Sequence, residues 1–304
     1  MIHVSQQRDE INSTEAISFT NSLQPLVVTE TTRIRIPFII HVRISHSIYL
    51  QLGEHSMQRT IKTLLATFLL TGFTMSDDAT ADVLELRVYT THEGKLENLN
   101  ARFRDHTMRI FENHGMKNIG YWVPEDIPNT LIYVISHKSR DAAKKSWADF
   151  VADPEWQDVF KKSRVDGPLL SKAPEATFLE STDYSPKKGW KNKDDDGVFE
   201  LRIYQAAEGK LGKLDARFRD HTIKLFEKHG MRNLAYWHPT DEPISKDHLY
   251  YIIHHKSRDA AKASWQAFIA DPEWKKAAAA SGVGRLAKPP ISIYMKSTDY
   301  SQIK

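Results

Sequence analysis

Ala101-Arg-Phe-Arg-Asp-His-Thr107 occurs a second time, unchanged, as Ala216-Arg-Phe-Arg-Asp-His-Thr222. The likeness extends outward from this stretch, because segments 83–126 and 198–241 are identical at 27 of 44 positions without a gap. A period of about 115 residues is too long for a solenoid repeat and fits a whole small domain. The sequence therefore predicts a tandem duplication of one domain.

Each repeat shows the element order βαββαβ. Residues 83–89 alternate strictly between two faces, as in a half-buried strand, and an amphipathic helix ending at His114-Gly115 follows. Strands at 118–123 and 131–137 come next, and Ser139 is placed to cap a second long helix. Asp153-Pro154 begins a short extra helix, and residues 176–180 form the last strand. This order is that of a ferredoxin-like α+β domain.

A ferredoxin-like sheet carries helices on one face only, so its other face needs cover. We expect the antiparallel sheets of the two ferredoxin-like repeats to pack as one pseudo-dimeric α/β barrel, with the repeat–repeat contact within one chain. The polar faces of the two first strands are expected to line the interior. They carry Glu85, Arg87 and Tyr89, and Glu200, Arg202 and Tyr204.

The first 81 residues resemble neither repeat. From Met57, a basic start, an apolar stretch at 64–73 and a small-x-small pattern at 79–81 predict a secretory signal peptide. The expected organisation is an unassigned extension or mis-called start (1–56), a signal peptide (57–81), repeat 1 (82–185), a linker (186–197) and repeat 2 (198–304). The mature protein is then secreted or periplasmic, without a membrane span. An uncut membrane-tethering helix and a mitochondrial presequence are the alternatives.

Composition excludes several function classes. The 42 basic and 39 acidic residues give a net charge of +3, which is too balanced for a nucleic-acid-binding surface. With no cysteine, the chain has no disulfide framework, cysteine metal site or thiol nucleophile. It also has no P-loop, no GxGxxG after a strand and no Gly-x-Ser-x-Gly elbow, which disfavours nucleotide-dependent and serine-hydrolase chemistry.

A set of short motifs resembles the NIPSNAP family of the dimeric α/β-barrel superfamily. In repeat 1 the motifs are Glu85-Leu-Arg-x-Tyr89, Gly94-Lys-Leu96, His114-Gly115, Gly120-Tyr-Trp122 and Asp153-Pro-Glu-Trp156. Repeat 2 carries the same set, except that Ala235 replaces Gly120, so close backbone approach is expected to differ there.

The resemblance implies the barrel fold but no settled reaction. Eukaryotic NIPSNAP proteins are associated with mitochondria, vesicle traffic and mitophagy signalling. Other barrel relatives include haem-degrading enzymes and cofactor-independent monooxygenases, whose catalytic residues cannot be placed on this chain.

Five pairs of residues are candidates for ligand binding. Arg87 and Tyr89 could hold a carboxylate or another planar anion, or Arg87 could form a structural ion pair with Glu85. His106 lies near the apolar stripe of the first helix and could serve as acid, base, or metal or haem ligand, or be a core histidine. Trp122 is either core or a pocket wall, and His137 a weak metal ligand. The counterparts are Arg202, Tyr204, His221, Trp237 and His255.

Other conspicuous residues receive structural roles. His114 and His229 are placed to complement the helix dipole. Asp105 and its neighbours Arg102 and Arg104 are expected to be solvated or paired surface charges. No ligand set stands at diagnostic metal spacing, and the sequence indicates no metal.

Three functions remain as hypotheses. The preferred one is binding of a small organic ligand in the barrel or in helix–sheet pockets. The second is a cofactor-independent monooxygenase or a haem-handling enzyme of the barrel superfamily. No cofactor is evident in the sequence, and haem is the one that this hypothesis allows. The third is a non-catalytic interaction protein, which a tightly packed interior without a pocket would favour.

Overall fold

The computed structural model describes residues 82–187 and 197–304. The unassigned extension at 1–56, the predicted signal peptide at 57–81 and residues 188–196 of the predicted linker lie outside the described residues. Secretion, periplasmic location and membrane tethering therefore stay predictions. Within the described part of the chain, no helix is long and apolar enough to cross a membrane.

Both repeats follow the predicted element order. The strands are β1 (Val83–Thr90), β2 (Lys117–Pro124), β3 (Thr130–His137), β4 (Glu175–Ser181), β5 (Val198–Gln205), β6 (Arg232–Pro239), β7 (His248–His255) and β8 (Ile291–Ser297). The helices of repeat 1 are α1 (Leu96–Arg102), α2 (Met108–Asn113), α3 (Arg140–Ala152) and α4 (Pro154–Lys162). Those of repeat 2 are α5 (Leu211–Arg217), α6 (Ile223–Lys228), α7 (Arg258–Ala270) and α8 (Pro272–Ala280).

The helix ends follow the sequence signals. Ser139 caps α3 by accepting a hydrogen bond from the Ala142 amide, and Asp153 caps α4 through its side chain, with Pro154 at the first helical position. Gly115 takes a φ of 76° just after α2, a conformation that favours glycine. These caps confirm the predicted helix boundaries.

The eight strands close into one barrel in the order β1-β3-β2-β8-β5-β7-β6-β4. Each repeat contributes a four-stranded antiparallel sheet, and the two edges of each sheet pair with the other repeat. β2 pairs with β8, and β4 pairs with β6. Closure leaves no open sheet edge, which is the main physical gain from joining two copies. The expected pseudo-dimeric barrel is confirmed.

The expectation about which face lines the barrel is wrong. Leu84 and Leu86 of β1 and their counterparts Phe199 and Leu201 point into the barrel, where they pack with Trp122, Trp237 and other apolar side chains. The polar side chains of β1 and β5 lie on the outer face, under the helices. Alternation alone identifies two faces but not which one the helices cover. The helix layer supplies hydrogen-bond donors to the glutamates, and the barrel interior is apolar.

The segments that end each repeat cross to the other repeat. Tyr300 donates its hydroxyl hydrogen to Asn100 Oδ1 at 2.9 Å, and Ser301 Oγ accepts from the Tyr121 amide at 3.0 Å. The reciprocal bonds join Tyr184 to Asp215 and Ser185 to Tyr236. The repeated Ser-Thr-Asp-Tyr-Ser motif thus fastens the two halves together.

One glycine is required by the interior packing. A Cβ on Gly120 would lie 2.4 Å from the buried Trp122 ring and 3.2 Å from Ile303. We expect Gly120→Ala to lower the free energy of unfolding by about 1–3 kcal/mol, since the fully buried ring must shift to admit the added carbon. Urea denaturation followed by circular dichroism measures this loss.

The control for this substitution is Gly212→Ala in α5, where nothing lies within 4 Å of the added carbon. That variant should be as stable as the wild type or slightly more stable, because alanine favours helix. If both variants unfold at the wild-type urea concentration, the Trp122 ring does not pack over Gly120.

Candidate ligand-binding site

A buried glutamate lies beneath the helices of each repeat. In repeat 1, Glu85 Oε1 accepts from Arg87 Nη1 at 2.5 Å, and Oε2 accepts from His137 Nε2 at 2.9 Å and Trp147 Nε1 at 2.8 Å. Glu85 is only 1% exposed. Strand β1 presents Glu85 and Arg87 on one face, while β3 and α3 supply the other two donors. The carboxylate is therefore fully engaged with protein groups.

Repeat 2 builds the same network with one more donor. Glu200 accepts from Arg202 at 2.6 Å, from His255 at 2.8 Å and from Trp265 at 2.8 Å. The Ser292 hydroxyl donates a fourth bond to Glu200 Oε1 at 2.6 Å, where repeat 1 has Ala176 at the same strand position.

These donors keep both glutamates ionised. Burial acts to raise the pKa of Glu200, but the hydrogen bond from His255 and the charge of Arg202 outweigh it and lower the pKa to about 2. The pKa of Glu85 is lowered by the equivalent partners against the same effect of burial. Each glutamate therefore balances the charge of the arginine beside it.

A cavity of about 620 Å³ opens between β1 and the helices of repeat 1. We call it the helix–sheet cavity. Half of its lining residues are aromatic, and Arg87, Arg102, Thr107 and Gln157 are its polar members. The lining residues are Arg87, Tyr89, Arg102, Phe103, Thr107, Phe111, Trp147, Phe150, Val151, Trp156, Gln157, Phe160, Leu170 and Pro174. Its volume lies in the range of small-molecule binding sites.

The rim of this cavity exposes apolar side chains. Val151 is 59% exposed and Phe160 is 39% exposed, although both line the cavity. Inside, the Arg87 guanidinium lies 4.3 Å from the centre of the Trp147 ring and 5.5 Å from that of Tyr89. The site combines an apolar wall and entrance with an arginine side chain inside.

Arg102 is buried, which corrects the expectation of a solvated surface charge. It is 6% exposed, and its guanidinium lies 5.2 Å from the Trp156 ring centre and 5.8 Å from that of Phe160. Within the described part of the chain, the guanidinium makes one hydrogen bond, from Nη1 to Ser163 Oγ at 3.2 Å, and Nε has no partner. Asp105 and Arg104 are exposed as expected.

A π-helical turn in repeat 1 follows Arg102 and contains His106. Residues Phe103–Thr107 form this turn between α1 and α2, and the Thr107 hydroxyl donates to the Arg102 carbonyl at 3.0 Å. Thr107, four residues after the buried Phe103, is buried, whereas His106 is exposed. The alternative that His106 and His221 are core histidines is wrong, since both are exposed.

The remaining candidate residues fall into two groups. Trp122 and Trp237 are fully buried inside the barrel and wall no helix–sheet pocket. His137 and His255 are buried against Glu85 and Glu200. His254 points instead to Phe199 in the barrel, so it shares no site with His255. Among the described residues, no cluster of metal-ligating side chains is present.

The helix-capping histidines bind a specific partner. His114 Nε2 lies 2.6 Å from Asp153 Oδ2, and His229 Nε2 lies 2.7 Å from Asp271 Oδ2. Each histidine thereby links the end of one helix to the start of another. Both roles are structural.

The chain matches the NIPSNAP family model twice, over residues 84–186 and 199–301. A solved NIPSNAP family protein from Agrobacterium tumefaciens is 24% identical, with 34% of this chain and 92% of that chain covered and a TM-score of 0.31. A NIPSNAP-like domain protein from Burkholderia xenovorans is 22% identical, with coverages of 34% and 89% and a TM-score of 0.31.

A putative monooxygenase from Lactobacillus acidophilus is 11% identical, with coverages of 71% and 93% and a TM-score of 0.47. No curated protein sequence is detectably similar to this chain. Because the family model covers both repeats, and so most of the chain, this protein belongs to the NIPSNAP family.

Proposed function

We propose that the protein binds a small, largely apolar organic molecule in the helix–sheet cavity of repeat 1. The supporting observation is the cavity itself, whose aromatic lining leaves about 620 Å³ unfilled beside a barrel interior that is closely packed. Aromatic walls with a few polar groups are typical of small-molecule sites. Exposed Val151 and Phe160 at the rim extend the apolar surface to solvent, where a ligand would enter.

Only some of the candidate residues predicted from the sequence line this cavity. Tyr89 and Arg87 line the cavity and would contact the ligand, while His106 lines a separate, shallower cleft with Asp105 and Asp158. A purely interaction-based function is less well supported, because the helix layer contains a cavity rather than uniform close packing.

Haem does not fit this site well. The cavity lining includes no histidine, methionine or cysteine to serve as an axial ligand, and its one tyrosine, Tyr89, packs edge-on against Phe103 and Tyr133. His137 is 1% exposed and bonded to Glu85, and His106 lies outside the cavity. The proposed ligand is accordingly an organic molecule held by packing and polar contacts.

The neutral fluorescent probe N-phenyl-1-naphthylamine tests the proposal. Titrated into the full-length protein, it should bind saturably with a Kd on the order of 100 µM or tighter, as expected at about 0.3 kcal/mol per non-hydrogen atom. Leu170→Trp enlarges a half-buried lining residue and should weaken binding by about tenfold or more, because the indole takes the space of the probe.

The matched control is Val165→Trp, at a site that is 80% exposed and does not line the cavity. It should bind the probe like the wild type. Probe fluorescence that rises without saturation, or that is unaffected by Leu170→Trp, would show that the helix–sheet cavity is not the binding site.

A further inference from the structure

Arg102 brings to the helix–sheet cavity a positive charge that no carboxylate of the described residues neutralises. Arg87 is neutralised by Glu85, whereas no carboxylate within residues 82–187 and 197–304 pairs with Arg102. Its Nε is buried without a partner, and only one hydrogen bond, to Ser163, is made. A buried arginine normally has a counter-ion, because desolvating an unpaired charge costs several kcal/mol.

We propose that the ligand of this cavity is a monocarboxylate with an apolar body, and that Arg102 binds its carboxylate. This inference rests on the proposed function and identifies the chemical class of the ligand. One uncompensated guanidinium calls for one negative charge, and its planar fork matches a carboxylate with two parallel hydrogen bonds. The aromatic lining would hold the rest of the molecule.

The surroundings of Arg102 support this assignment. Arg102 lines the helix–sheet cavity and two shallower depressions beside it, one of them shared with Arg164. Burial lowers the pKa of Arg102, and the nearby Arg164 acts in the same direction. A bound carboxylate would relieve both effects.

Repeat 2 has a buried arginine at the position equivalent to Arg102, but it lacks the apolar wall of the cavity. Arg217 is 9% exposed, stacks on Trp274 at 5.1 Å, and likewise forms no ion pair with a described residue. Ala278, however, stands where repeat 1 has the rim residue Phe160, and Gly282 replaces Arg164. The larger apolar wall and the second cation favour repeat 1 as the carboxylate site.

The test compares two ligands of nearly equal shape, 1-naphthoate and its neutral amide 1-naphthamide. Isothermal titration calorimetry with the full-length protein should show that the carboxylate binds about tenfold or more tightly than the amide. Arg102→Met should bring the ratio of the two dissociation constants, amide over carboxylate, close to one. Arg102→Lys should keep part of the preference for the carboxylate. Methionine retains the packing on Trp156, and a thermal melt checks that the variant is folded.

Arg109→Met is the control for a general charge effect, since Arg109 is exposed on α2 and pairs with Glu155. It should leave the ratio unchanged. Equal binding of the two ligands to the wild type, or a ratio that persists in Arg102→Met, overturns this inference but leaves the proposed function standing. If the preference for the carboxylate is lost in Arg217→Met instead, the carboxylate binds in repeat 2, which also overturns the inference. Binding of neither ligand contradicts the proposed function as well.

Discussion

Glu200→Gln should lower the free energy of unfolding by about 3–5 kcal/mol at pH 7. The carboxylate accepts four hydrogen bonds, from Arg202, His255, Trp265 and Ser292. Glutamine keeps one oxygen and turns the other acceptor into a donor that faces donors. The substitution also leaves Arg202 buried without a counter-charge. Urea denaturation of variant and wild type measures the loss.

The same substitution should change the response to acid. The pKa of Glu200 is about 2 in the folded protein, against an ordinary value of 4.5 for a glutamate in water. Because the folded-state pKa is depressed, the ionised glutamate stabilises the protein fully above pH 4.5 and loses this effect as the pH falls towards 2. The difference between these two pKa values corresponds to about 3 kcal/mol. The difference in free energy of unfolding between the wild type and Glu200→Gln should therefore shrink between pH 4.5 and pH 2.

Glu97→Gln is the matched control, because Glu97 is exposed and has only a surface contact with Arg104. It should unfold at the wild-type urea concentration. A Glu200→Gln protein as stable as the wild type, or a stability gap that is constant between pH 5 and pH 2, would mean that the buried network does not form.

The second large effect is expected from Leu201→Asn. Leu201 is 1% exposed and points into the closed barrel, on the opposite face of β5 from Glu200. Removing its apolar surface costs about 2 kcal/mol, and burying an amide without a hydrogen-bond partner adds about 1–3 kcal/mol. We therefore expect the free energy of unfolding to fall by about 3–5 kcal/mol in urea denaturation.

Ile291→Asn serves as the comparison, since Ile291 is 52% exposed at the start of β8. Its effect should stay within about 0.5 kcal/mol. A similarly small effect for Leu201→Asn would show that water reaches position 201, which a closed apolar barrel does not allow.

The sequence predicted the architecture because the signals for it are local or repeated. The alternation in β1, the caps at Ser139 and Asp153 and the glycine at 115 each depend on neighbouring residues, and all occur as predicted. The duplication made a two-sheet barrel the expected assembly. The face that lines the interior depends on contacts across the fold, since Glu85 meets His137 and Trp147 only after folding. Sequence spacing could not indicate it.

The candidate site was predicted only in part, for a specific structural reason. Arg87 and Tyr89 were recognised from their shared strand face. Arg102 was missed because it lies among charged residues in Arg102-Phe-Arg104-Asp105 and resembles a surface group. His106 is exposed, although the spacing of Phe103 and Ile110 places it near the apolar stripe of the helix. The one sequence signal for Arg102 was that the stretch 101–107 recurs unchanged at 216–222.

A crystal structure of the full-length protein grown with 1-naphthoate tests the central claim most directly. We expect one ligand in the helix–sheet cavity of repeat 1, with its rings among Trp147, Phe150 and Trp156 and its carboxylate within hydrogen-bond distance of Arg102. Naphthoate bound inside the barrel, or bound only on the outer surface with this cavity empty or closed by its own side chains, would contradict the account.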